Sequence, residues 1–235
     1  MKTLVIIPAY NEAESIENVV ETLTHHYPQF DYVVINDGSV DSTAKLCYIN
    51  GYNLIDLPAN LGLAGAFQTG LRYAYENDYD YTLQFDADGQ HKPEYIQPML
   101  EAMEQGYDIV IGSRFVTKKK TFNLRMLGSF FISLAIKLTT GQTIKDPTSG
   151  MRLFNRNMTA EFAKSLNYGP EPDTISYLIK CGARVGEVQV EMEERQAGES
   201  YLNFSRSIAY MIRMCLSILL IQWFRKRDKK EVKKA

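Results

Sequence analysis

Two carboxylates separated by one residue, Asp86 and Asp88 in "LQFDADGQHKPE" (83 to 94), close a run built like a buried strand. At positions i and i+2 of an extended segment they would project to one side. Hard cations such as Mg²⁺ or Mn²⁺ prefer oxygen and usually keep substrate phosphate among their ligands. Two such acids, water and two phosphate oxygens could therefore complete a metal site. Taken alone, the triplet reads more readily as a turn, because Asp and Gly are ordinary loop residues.

Other polar loops carry candidates of the same kind. In "NDGSVDST" (36 to 43), Asp37 and Gly38 stand at a strand end, and Asp41 or Ser42 can cap the next helix. An Asp at that position can accept hydrogen bonds from a ribose or a base edge, and the glycine lets backbone approach closely. In "PAYNE" (8 to 12), Pro8 stiffens the strand exit and Glu12 sits at a helix entry, where an acid also offsets the helix dipole. "GPEPD" offers Glu171 and Asp173 as a general base, an acceptor-positioning group or a helix cap ahead of Thr174. His91 is loop-borne, and His25 and His26 have no partner at metal spacing and read as surface residues.

These loops need a frame that gathers them. Short apolar, β-branched runs at 3–8, 32–37, 53–57, 81–88 and 107–113 alternate with helical patterns near 14–26, 42–49, 63–77 and 94–105. Such alternation predicts an α/β domain with a mostly parallel central sheet covered on both faces. Ligands of these sheets sit beyond the carboxyl ends of the strands, where "PAYNE", "NDGSVDST", "NLGLAG" (60 to 65), "DADGQH" and "GSR" (112 to 114) all fall. After 114 come a basic loop (115–123), an apolar helix near 124–140, "KDPTSGMRLF" (145–154), helices near 156–166 and ending about 181, and an alternating strand at 185–195. We read 1–203 as one domain, 1–114 the half that carries these ligand-binding loops and 115–203 its acceptor half.

With 235 residues, 45% of them apolar, the chain can bury one substantial core. A net charge of −2 argues against a nucleic-acid binder, but it hides a +5 tail, "RKRDKKEVKKA", after a body of −7. Three cysteines without short metal-ligand spacing fit reduced thiols, and the apolar stretch Leu4 to Ile7 is too short for a signal peptide, so a cytoplasmic location is expected. Residues 204–235 combine an apolar helix, Trp223, Phe224 and the basic tail. This is too short to span a bilayer and fits an amphipathic element lying on a membrane, while packing on the domain's own core is the other reading.

In combination, "VIIPAYNEAESI", "VVINDGSVDST", "NLGLAGAFQTG" and "LQFDADGQHKPE" resemble the family 2 glycosyltransferases of GT-A fold, particularly polyprenyl-phosphate glycosyltransferases of the dolichyl-phosphate mannose synthase type. The resemblance implies that Pro8, Tyr10, Glu12, Asp37, Gly65, Ala87 and Arg114 flank a nucleotide sugar. It further implies that Asp86 and Asp88, with Gln90 nearby, hold Mg²⁺ or Mn²⁺ on its diphosphate. Asn36 departs from the family's frequent Asp at the start of that loop. Arg114, Arg152 and Arg195 match family arginines whose planar forks suit phosphate, with Arg125 and Ser200 as further contacts on the acceptor side. The expected catalytic set is Asp88, Arg152 and Glu171 or Asp173.

The function so implied is metal-dependent, inverting transfer of a sugar from a nucleotide diphosphate sugar to a polyprenyl phosphate or lipid-linked glycan, in cell-surface polysaccharide synthesis at the inner face of the cell membrane. A small membrane protein or a second copy of the chain are possible partners. The alternatives are transfer to a hydroxyl acceptor with Glu171 or Asp173 as base, and a non-catalytic nucleotide-sugar-binding scaffold.

Overall fold

The computed structural model describes residues 1–118, 124–164, 169–193 and 204–220, with backbone alone at 124, 125 and 204–207. Arg195, Ser200, Trp223, Phe224, the tail and the side chain of Arg125 lie outside the described residues. Seven strands, β1 (Thr3–Ala9), β2 (Asp31–Asn36), β3 (Leu54–Asp56), β4 (Tyr81–Gln84), β5 (Ile109–Ser113), β6 (Arg152–Asn155) and β7 (Val185–Gln189), form one sheet. Their order is β3-β2-β1-β4-β6-β5-β7. β6 runs antiparallel to both β4 and β5, and the remaining pairs are parallel, so the expected mostly parallel sheet is present.

Alternation along the strands builds two cores. Val5 and Ile7 of β1 face α1 (Ile16–His26), α2 (Thr43–Ile49) and α4 (Ile96–Met103) through Val20, Cys47 and Met99. Leu4 and Ile6 face the other layer, made by α3 (Gly62–Glu76), α5 (Leu124–Thr140), α6 (Arg156–Lys164), α7 (Pro172–Lys180) and α8 (Phe204–Leu219). Each fully buried Leu, Ile or Val contributes about 1.5–3 kcal/mol, so neither face can be left uncovered. Gly70 lets α3 lie directly on β1, because a Cβ there would come 2.3 Å from Ile6 Cγ2.

Several expected boundaries move. β1 runs one residue past Pro8, so the proline lies within the strand, and α1 starts at Ile16, beyond Glu12. β4 ends at Gln84 and not at 88. Phe85 still donates its N–H to Ile6, but Ala87 and Asp88 turn and Gly89 takes φ 76°. β7 stops at Gln189. The strand β6 was not expected. Its four residues begin with a charged one and pair only with strands distant in sequence.

The helix α8 packs on its own domain. Met214 and Ile218 are 1% and 0% exposed within the α3/α5/α7 core. α5 and α8 meet at Gly128, where a Cβ would lie 1.3 Å from Met211 Sδ. Their outer faces stay bare: Leu138 of α5 is 72% exposed and Ile212 of α8 is 55% exposed. A wholly apolar groove of about 460 Å³ runs between the two helices. Among the described residues, no helix is long and apolar enough to cross a membrane.

Candidate active site

The loop after β4 is held from inside. Asp86 donates its backbone N–H to His91 Nδ1 at 2.9 Å, which leaves the proton of a neutral imidazole on Nε2. That nitrogen lies 3.6 Å from Asp86 Oδ2, and the ring meets Phe85 edge-on with centroids 5.4 Å apart. Gln84 donates to Asp86 Oδ1 at 3.4 Å. Gly150 closes the same carboxylate from the β6 side, since a Cβ there would be 2.5 Å from Asp86 Oδ2. Asp88 accepts the N–H of Gln90 at 3.1 Å, and the Gln90 amide donates to the carbonyl of Glu193 at 3.2 Å.

Both acids thus sit on a turn braced by a histidine and a glycine, not on an extended strand. Among the described residues, no three His, Cys, Asp or Glu side chains could hold a metal ion together. Asp86 and Asp88 are instead a two-carboxylate, all-oxygen set on one short loop. That chemistry suits a hard cation whose other ligands are substrate phosphate and water.

The β1 and β2 loops are stitched together. Asp37, 3% exposed, accepts the N–H of Leu61 at 2.7 Å and donates its own N–H to Ala9. Gly38 takes φ 66°, and a Cβ would strike the Ala59–Asn60 backbone at 2.7 Å, so only glycine fits. Asn36 donates its amide to Asp56 Oδ1 at 2.6 Å, which accounts for the departure from Asp: a carboxylate there would face another carboxylate. Glu12 accepts from Ser15 Oγ at 3.0 Å, and the first-turn acid of α1 is Glu17. Tyr10 is exposed, Ala87 is buried, and Gly65 lies in α3 with Leu61 packed on it.

The cap of α2 comes from Asp41 and not from Ser42. Its carboxylate accepts the N–H and hydroxyl of Thr43 at 2.9 and 2.6 Å and the N–H of Ala13 at 3.1 Å. Burial alone would raise the Asp41 pKa, but these bonds to the charged form outweigh it and hold it below the usual carboxylate value.

Two arginines lie at the sheet's carboxyl end. Arg114 is clamped by Asp146, with Nε at 2.7 Å, Nη2 at 2.9 Å and its backbone N–H at 3.1 Å. Asp146, fully buried, went unnoticed in the sequence. Its main-chain N–H is anchored in turn by Glu187 at 2.8 Å. Arg152 is 5% exposed, donates from Nη2 to Pro147 O at 2.8 Å, and among the described residues leaves Nε without a partner. Its cross-strand neighbour Gln84 has an unpartnered Oε1. Burial pulls the Arg152 pKa down, while the charges of Glu171, Asp146 and Asp86 push it up, and a guanidinium stays charged in any case.

The two acids of α7 differ. Asp173, 9% exposed, accepts the N–H of Thr174 at 2.8 Å and the hydroxyl of Ser217 at 2.6 Å, so both of its oxygens serve the fold. Glu171 occupies the N-cap position with extended backbone, yet makes no capping bond. Its Oε2 accepts the hydroxyl of Tyr210 on α8 at 2.5 Å. Burial and the Glu171 charge push the Tyr210 phenol far above its ordinary pKa.

The structure therefore gathers Asp86, Arg152, Glu171 and Arg114 with Asp146 at one end of the sheet, with the Asp37 loop at the ends of β1 and β2. Sequence reasoning passed over Asp146, Gly150, Gln84 and Tyr210. Only the Asp-Pro-Thr-Ser-Gly run around Asp146 and Gly150 carried a local signal.

Residues 4–162 match the model of a family described as glycosyl transferase family 2. The undecaprenyl-phosphate mannosyltransferase of Micrococcus luteus is 32% identical over 215 residues, 86% of this chain and 88% of that protein. The UDP-N-acetylglucosamine–dolichyl-phosphate N-acetylglucosaminyltransferase of Methanococcus voltae is 31% identical over 79% of this chain and 83% of its own. Among solved structures, glucosyl-3-phosphoglycerate synthase of Mycobacterium tuberculosis, in complex with Mn²⁺, UDP-glucose and phosphoglyceric acid, shares the fold. Its TM-score is 0.67 at 16% identity, covering 97% of this chain and 81% of that one.

Proposed function

The chain belongs to glycosyl transferase family 2 and is a glycosyltransferase, and from that premise we propose that it moves a sugar from a nucleotide diphosphate sugar to a polyprenyl phosphate at the inner face of a membrane. The observation that carries this reading is the two-sidedness of α8. One side donates hydrogen bonds from Tyr210 and Ser217 to Glu171 and Asp173, and the other exposes Ile208, Ile212 and Leu216. A site whose wall is also an apolar outer face suits an acceptor whose head reacts while its tail stays in lipid.

The rest of that face supports the same reading. α5 and α8 carry no acidic residue, their charged side chains are basic, and the +5 tail follows α8. Apolar area together with positive charge is what holds an interfacial helix on anionic lipid. The two relatives name undecaprenyl and dolichyl phosphate as acceptors but differ in the sugar, so the donor sugar is left open.

In this mechanism Asp37, whose Oδ2 has no protein partner among the described residues, accepts a bond from the nucleoside, and the Asp86–Asp88 loop lies at the diphosphate. A divalent cation held by Asp86 and Asp88 would supply positive charge to the departing diphosphate. Arg152, buried beneath the same loop, adds a fixed cation, and Arg114 is set by Asp146. The acceptor phosphate is already an anion and needs no strong base. Its oxygen attacks the anomeric carbon, the bond to the diphosphate oxygen breaks with its electron pair leaving on the nucleotide, and the anomeric centre inverts. Arg125, Arg195 and Ser200 are assigned to the acceptor phosphate by the family resemblance alone.

A panel of UDP, GDP and dTDP sugars, screened with Mn²⁺ by thermal shift, identifies the donor, because a ligand bound only to the native state raises its stability. Mass spectrometry of vesicle lipids then looks for the sugar phosphate lipid. Transfer to hydroxyl acceptors alone, with Glu171 as base, would overturn the reading.

A further inference from the structure

We infer that Tyr210 is a positioning residue for the acceptor side of the site, fixing the direction of the Glu171 carboxylate beside Arg152. The inference rests on the glycosyl-transfer reading above. Glu171 stands at the N-cap position of α7 but has no capping work there, because Pro172 carries no N–H and the N–H of Thr174 already goes to Asp173. Its Oε2 instead accepts the Tyr210 hydroxyl at 2.5 Å, from a helix 39 residues downstream. The neighbouring Asp173 is handled differently, binding Thr174 within α7 and Ser217 of α8.

The packing needs only the ring. Tyr210 lies against the core that Met214 and Ile218 complete, and phenylalanine would fill that space equally well. The hydroxyl is therefore an addition to the packing, directed at a carboxylate. That carboxylate is one of the charges acting on Arg152, whose buried Nε has no partner among the described residues. A bond from a phenol to a charged acceptor is among the stronger kinds and fixes direction as well as distance. Because α8 also carries the exposed row Ile208, Ile212 and Leu216, seating of that helix and aim of Glu171 are one structural event.

The test is a double-mutant cycle of Tyr210→Phe and Glu171→Gln, read in sugar transfer to polyprenyl phosphate in vesicles. Tyr210→Phe is expected to lower kcat about tenfold while KM for the nucleotide sugar stays unchanged, the signature of lost orientation and not of lost donor binding. The double mutant is expected to be no worse than Glu171→Gln, because neighbours that act as a unit are non-additive. Wild-type kcat in Tyr210→Phe, or losses that multiply, would overturn the inference. If the wild type transfers nothing to polyprenyl phosphate, the acceptor reading fails separately. The crystal structure of Tyr210→Phe then decides: a Glu171 side chain that leaves its wild-type position supports positioning, and an unmoved one refutes it.

Discussion

Gly150 and Asp86 are in contact across the sheet's end: a methyl group at 150 would lie 2.5 Å from Asp86 Oδ2 and 3.3 Å from His91 Cε1. The Asp86 carboxylate therefore owes its position to an absent side chain on the segment before β6 as much as to its own loop. Gly150→Ala should push the carboxylate away from the cation it would hold. A displacement near 1 Å in such a site costs about 10²-fold in rate. Steady-state transfer should fall by that order with the thermal midpoint little changed. An unaffected rate would mean that Asp86 is placed by other contacts.

Asn36, itself buried, donates its amide to the carboxylate of exposed Asp56 at 2.6 Å. Asn36→Asp replaces this bond with two facing carboxylates, and like charges raise the pKa of the pair in the folded protein. A raised folded pKa means that stability is intact below the unfolded carboxylate value and lost as pH rises through the folded one. Denaturant titrations should find the variant about 1–3 kcal/mol weaker at pH 7 and close to wild type near pH 4. An equal deficit at both values would point to packing.

The Asp41 cap predicts the opposite dependence. Its pKa is lowered in the folded state, so the stability it contributes is present above the unfolded carboxylate value and disappears as pH falls through the folded one. Asp41→Ala should cost about 1 kcal/mol at pH 7, an ordinary cap loss, and progressively less as the pH falls through its depressed folded value. Calorimetry across an acid titration checks this.

The apolar outer face makes a separate prediction. Ile212→Glu with Leu216→Glu places two acids at positions 55% and 49% exposed on the outer face of α8, so stability should hold. Sedimentation with vesicles rich in anionic lipid should show loss of binding, and wild-type binding should weaken as salt screens the basic residues. Undiminished binding by the double variant would remove α8 from the interface.

The strands, the two-layer helix arrangement and the Asp86, Asp88 and Asp37 loops were legible because each is local: an apolar run followed by a polar loop. Boundaries failed where tertiary bonds decide them. β4 stops at Gln84 because His91 takes the Asp86 N–H and the chain turns over Ala87 to Gly89, and α1 waits until Ile16 because Glu12 is tied to Ser15 and Thr43. β6 and the groups it brings, Gly150 against Asp86 and Arg152 beside Gln84, depend on pairing with a strand far upstream. Tyr210 likewise reads as one aromatic in an amphipathic helix until α8 is laid on α7.

The most direct measurement is transfer of a labelled sugar from its nucleotide to polyprenyl phosphate in vesicles, by the wild type and by Asp88→Ala, across a titration of Mg²⁺ and Mn²⁺. Divalent-dependent sugar phosphate lipid from the wild type, reduced at least 10²-fold in the variant at saturating metal, is the predicted result. Full transfer by Asp88→Ala, or wild-type transfer indifferent to chelator, would contradict the account.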